Sequence, residues 1–182
     1  MKRLALLVLG VMAVSTSALA QAPADALDKA LTAAPANLRE GATVIKWKPD
    51  YTYETLRKGT NRLACYDRSG FPLQQPFSIE CTSIANLDRV AQNMKAEALG
   101  DKAKSEAMLD AAEKNGTRVK PEFGSVWYHV SGADKDHTRQ HVTIAVPGAT
   151  PQSLGLPDNA KQGGVWIMNA GTTTAHLMTP GE

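Results

Sequence analysis

The stretch "TSIANLDRVAQNMKAEAL", residues 82–99, decides between an all-β chain and a mixed one. Its apolar residues Ile84, Leu87, Val90 or Ala91, Met94 and Ala98 recur at three and four, the period of one helix face. Thr82 or Ser83 stands where an N-cap belongs, since a hydroxyl oxygen there accepts from a free N–H of the first turn. Gly100 interrupts the run. "DKAKSEAMLDAAEKNG", residues 101–116, then starts a second helix at Asp101 and stops it at Asn115 and Gly116. Leu99 and Met108 are its expected anchors, beside a face of alanines.

On both sides of this helical centre the sequence turns to strands. Upstream, "ADALDKALTAAP" (24–35) spaces Leu27 and Leu31 for one short helix ended by Pro35. "TVIKWKPDYTYETLRKG" (43–59) then brings β-branched and aromatic residues in two runs around Pro49, and "NRLACYD" (61–67) and "FSIEC" (77–81) flank a turn-rich segment. Downstream, "FGSVWYHVS", "QHVTIAVP", "GGVWIMNAG" and "AHLMTP" read as further strands, with Trp166 and Met168 alternating as a core face would. The expected class is α+β, a mostly antiparallel sheet packed on one side by the central helices, in one disulfide-stapled domain.

Residues 1–20 read as a secretory signal peptide. Lys2 and Arg3 precede the apolar "LALLVLGVMAV", and "ALA" at 18–20 places cleavage before Gln21. The expected mature domain is 21–182. The apolar run is short for a membrane span, which takes roughly 20 residues, and no cysteine follows for a lipid anchor. The expectation is an exported chain without a membrane anchor, periplasmic or secreted. Of the 20 Lys and Arg residues two belong to the leader, leaving 18 against 18 Asp and Glu. This even balance excludes the basic footprint of nucleic-acid binding.

Cys65 and Cys81 are the two cysteines of the chain. In an oxidising compartment such a pair forms a structural bridge, and Cys-x-x-Cys redox spacing is absent. A closed loop of about 15 residues stabilises by roughly 3 kcal/mol in the chain-entropy model.

All four histidines, His129, His137, His141 and His176, follow the helices. In "GADKDHTRQHVTIAVP" (132–147), His137 and His141 lie four apart. On a strand that is about 13 Å, whereas two imidazoles on one zinc bring their nitrogens within roughly 3–4 Å. The pair therefore reads as the wet side of a strand, and as a metal site only if His137 is drawn from a loop with Asp134 or Asp136. His176 and Met178 share a strand face, a mixed ligand set that suits copper, although thioethers also fill cores. No cofactor is expected. A serine elbow, phosphate loop and dinucleotide fingerprint are all lacking; a hydrolase would need a dispersed site around His129, His141 or His176.

The blocks "LRKGTNRLACYD" with "IEC", and the tail "GTTTAHLMTP", resemble a group of uncharacterised secreted bacterial proteins. The matching positions are Leu56, Arg57, Gly59, Thr60, Asn61, Cys65, Cys81, Ala175, His176 and Met178. Thr82 stands where that group has an acidic residue after the second cysteine. The resemblance implies export and a similar architecture, and no activity. It directs attention to Arg57, Asn61 and His176, with Arg57 a forked donor and His176 a pH-sensitive one; together with His129 these are the ligand-binding candidates. The alternative is structural: Gly59 and Asn61 shape a turn, and Arg57 satisfies a carbonyl or carboxylate. The leading functional expectation is a non-catalytic domain binding an unknown small molecule or protein partner. A hydrolase and a His/Met metal-binding protein are the alternatives.

Overall fold

The computed structural model describes residues 17–179, with side chains from Ala24 onward. The expected leader lies outside the described residues except for the backbone of its last four, which open α1 (Ser17–Ala30). Eight strands among the described residues form one sheet: β1 (Thr43–Trp47), β2 (Tyr53–Arg57), β3 (Leu63–Asp67), β4 (Phe77–Ser83), β5 (Val126–Gly132), β6 (Thr138–Ala145), β7 (Trp166–Met168) and β8 (His176–Met178). Their spatial order is β2-β1-β3-β4-β5-β6-β8-β7. Only β1 and β3 pair in parallel. The central helices are α2 (Leu87–Glu97) and α3 (Lys102–Lys114); α4 (Pro151–Leu154) is one short turn.

The period-two alternation of the strands sends side chains to two different layers. On one face Val44, Leu63, Cys65, Ile79 and Cys81 pack with Ala30, Leu31, Ala33 and Ala34 at the end of α1. On the other Ile45, Ala64 and Tyr66 pack with Leu87, Val90 and Met94 of α2. Each of these three α2 side chains contributes about 1.5–3 kcal/mol by leaving water. Helices thus lie on both faces, where the sequence suggested one, because the alanines after Leu31 are small enough to close against the strands. A third cluster of Val146, Ala149, Ile167 and Ala175 holds the β7–β8 edge.

Cys65 and Cys81 face each other across β3 and β4 with Cα atoms 4.1 Å apart, and they form the disulfide. A directly opposed strand pair brings the two Cβ atoms within bridging range. The bridge sits in the α1 layer.

Two expectations about packing are corrected. Leu99 and Met108 are exposed, whereas in α3 Ser105 is buried and Leu109, one turn on, is partly buried. On β7 the core residue is Ile167, while Met168 is exposed. Trp166 and Met168 therefore point away from the third cluster, on the sheet face shared with His176 and Met178. The helix caps fall near their expected places: Asp101 accepts from Lys104 N at 3.1 Å, and Ser83 caps the short 3-10 turn (Ile84–Asn86) that leads into α2.

Candidate functional site

α2 covers the β1-β3-β4 part of its sheet face and leaves the β5-β6-β8 part open. The opening is a cavity of about 220 Å³, walled by the sheet on one side and by α2 and the segment after α3 on the other. Sheet register dictates which histidines reach it. His129 on β5 pairs with His141 on β6, and Glu80 on β4 pairs with His129. His141, Thr143 and Ala145 alternate onto one face, and His176 on β8 pairs with Ala145. Three of the four histidines thereby meet in one wall.

Two arginines form the opposite wall, Arg89 of α2 and Arg118 after α3, and both are buried. Arg89 donates to the Val119 carbonyl and, at 2.9 Å, to Thr174 Oγ1. Arg118 donates to Gln92 Oε1 and Asn93 Oδ1, each at 2.6 Å. Every one of these acceptors is uncharged. Among the described residues neither guanidinium joins an ion pair. Burial, with repulsion from Arg118 behind it, holds Arg89 down to about 10, and burial also lowers Arg118. Glu113 of α3 acts on both through space, but its oxygens accept from the backbone and hydroxyl of Thr173.

The sequence folds this wall through a row of amides along α2. Gln92 Oε1 also accepts from Val119 N at 2.9 Å, and the fully buried Asn86 accepts from Glu122 N at 2.8 Å while donating to Thr82 and Ser125. These bonds lay the 118–122 segment along the helix and fix where Arg118 points. Neither arginine was singled out by sequence reasoning. The available signal was that Asn86, Arg89 and Asn93 recur at three and four beside the apolar stripe, where a solvated face would carry Lys and Glu.

The third acid–base element is Glu80. Its carboxylate accepts from Tyr66 Oη at 3.0 Å and Arg68 at 3.1 Å, both buried, so its charge is already matched. Arg68 also pairs with Glu97. Glu97 in turn accepts from Gln74 Nε2 at 2.8 Å, which turns Gln74 Oε1 toward Ser78, whose hydroxyl donates to it at 3.0 Å. With its one hydrogen so engaged, Ser78 accepts from His129 Nε2 at 3.0 Å. His129 therefore carries its neutral-form hydrogen on Nε2 and leaves Nδ1 to take a proton. This orientation runs against a serine nucleophile, which would have to donate to the histidine, and Ser78 is wholly buried outside the cavity wall.

His176 Nδ1 lies 2.7 Å from the Thr174 carbonyl, to which it can only donate, so Nε2 is its basic nitrogen. Burial lowers both His129 and His176 below the ordinary imidazole range, with His141 adding to the effect on each.

The remaining candidates stand elsewhere. Arg57 does not reach the cavity: it donates to the Arg39 carbonyl at 2.6 Å and the Ala42 carbonyl at 2.8 Å. Asn61 donates to the Leu38 carbonyl and accepts from Leu63 N, both at 2.9 Å. Together they tie the 38–42 loop to β2 and β3. His137 is exposed in the β5–β6 turn, with Nδ1 2.9 Å from the Asp134 carboxylate. Met178 pairs with Thr143 and Trp166 and is partly buried. Among the described residues no three His, Cys, Asp or Glu side chains are grouped to hold a metal ion. A larger cavity of about 570 Å³ lies between α1 and the β1–β2 hairpin, walled by Leu27, Ala30, Trp47 and Leu56. It gathers no comparable polar set, and its Asp67 is paired with Lys29.

Compared with protein-family models, with curated proteins and with solved structures, the chain matches none.

Proposed function

We propose that this is an exported, non-catalytic domain that captures a small anion in the β5-β6-β8 cavity. One observation carries the reading: two buried arginines face one cavity and bond only to uncharged acceptors. A buried cation without a counter-charge is costly, and the cost falls when an anion enters. Arg89 and Arg118 supply planar donor forks, which suit the oxygens of a phosphate, sulfate or carboxylate. Thr143 and Thr174 also line the cavity.

Size supports a small occupant. Drug-sized ligands take pockets of about 300–1,000 Å³, and this cavity holds about 220 Å³. Export is supported by the leader-like residues 1–20, by the formed disulfide, and by the fact that no helix among the described residues is long and apolar enough to cross a membrane.

The test is thermal unfolding of the mature chain with sulfate, phosphate or small carboxylates, against chloride at matched ionic strength. A ligand at a hundred times its Kd adds about 2.7 kcal/mol, which raises the Tm by about 5–10 °C for a domain of this size. An equal response to every salt, or an unchanged response in Arg118→Gln, counts against the site.

A further inference from the structure

Resting on that reading, we infer that anion capture is proton-coupled, the cavity taking up its anion together with protons at His129 Nδ1 and His176 Nε2. The geometry is the reason. His129 and His176 reach one cavity from β5 and β8, and each has one ring nitrogen fixed by a bond to the protein, Ser78 for His129 and the Thr174 carbonyl for His176. The other nitrogen of each ring is the one that can gain a hydrogen and become a new donor.

The surrounding charges set the direction. His129 faces Glu80 of β4, His141 of β6 and Arg68 at the end of β3. The Glu80 carboxylate, shared with Arg68 and Tyr66, favours a protonated ring, but burial outweighs it and Arg68 and His141 add to the burial. His176 faces His141 and Arg89, with Arg118 and Glu113 behind Arg89 and Glu113 held by Thr173. In the empty cavity these cations and the burial disfavour protonation of both rings. An anion placed against Arg89 and Arg118 reverses the local field, and both rings then gain a proton more easily. By linkage, protonation strengthens anion binding to the same extent. The cavity loads in acid and releases toward neutrality.

The experiment is isothermal titration of sulfate into the mature protein at pH 5.5, 6.5 and 7.5, each in two buffers of different ionisation enthalpy at constant ionic strength. Sulfate keeps its charge across this range, so any proton taken up belongs to the protein. The expected result is uptake of about one proton per sulfate near pH 6.5, with affinity rising as pH falls by up to about tenfold per unit for each proton. The His129→Gln, His176→Gln double variant is expected to lose both the uptake and the pH dependence. Binding with no proton uptake overturns the coupling and leaves the anion site standing. Uptake that persists in the double variant overturns the assignment to these two rings. Absence of sulfate binding at every pH overturns the coupling and the anion reading together.

Discussion

Arg89 and Arg118 stand in one cavity wall, each buried and each bonded only to uncharged acceptors. Arg68, buried to a similar degree, is paired with Glu80 and Glu97. The contrast separates two jobs that look identical in the sequence. A paired buried arginine belongs to the fold, whereas an unpaired one raises the free energy of the empty protein until a counter-ion arrives.

Substitution should tell them apart. Arg68→Met leaves two carboxylates without their cation and is expected to cost about 3–5 kcal/mol. Arg89→Met breaks no ion pair but leaves the Val119 carbonyl and Thr174 without their donor, so its cost in anion-free buffer is expected to be about 1–3 kcal/mol, below that of Arg68→Met, while anion binding is lost. Urea denaturation of both variants, with and without sulfate, checks the pair of outcomes.

Arg57→Ala should differ from Arg89→Met in its effect on binding. Its guanidinium ties the Arg39 and Ala42 carbonyls to β2, so the loss is expected to be about 1–3 kcal/mol of stability. Anion affinity at the cavity should be unchanged, because no Arg57 atom lines it. Calorimetric titration beside a melting curve separates the two quantities.

Gly59→Ala is expected to destabilise by about 1–3 kcal/mol through overpacking. A Cβ at this position would stand 2.2 Å from the Gly41 carbonyl oxygen and 2.5 Å from Thr43 N, both backbone atoms with little room to yield. The 59–61 connection, where Thr60 N and Asn61 N donate to the Gly41 carbonyl, would have to move off the 41–43 backbone. A lowered Tm with normal sulfate affinity is the expected pattern.

The empty protein should lose stability on acidification. The lowered values of His129 and His176 mean that the unfolded chain, with imidazoles near 6.5, binds protons first as pH falls. Their contribution is complete above about 6.5 and declines below it, down to the folded values. A Tm series in chloride from pH 7.5 to 5 should show this decline, and saturating sulfate should diminish it. In His129→Gln, His176→Gln the decline should flatten.

Much of the frame was legible before the structure. Ile79 and Cys81 alternate with Ser78, Glu80 and Thr82 on β4, and that pattern alone gives a strand with two faces. The spacing of Leu87, Val90 and Met94 gives α2, and Asp101 with Gly116 brackets α3. Which strands neighbour one another was not legible, because register arises from long-range packing. That is why His129 and His176, 47 positions apart in sequence, could be picked out singly and still not be placed in one wall. Arg89 and Arg118 escaped notice for a related reason: a lone arginine beside an apolar stripe reads as solvated until its partners are seen to be Thr174, Gln92 and Asn93. Arg57 drew attention through its motif, and its bonds to the 39–42 loop give it a structural task.

The most direct test of the anion site is diffraction from crystals of the mature protein grown with selenate, collected at the selenium edge. The expected result is an anomalous peak in the β5-β6-β8 cavity with selenate oxygens within hydrogen-bond reach of Arg89 and Arg118. Ordered water alone in that cavity at saturating selenate would contradict it.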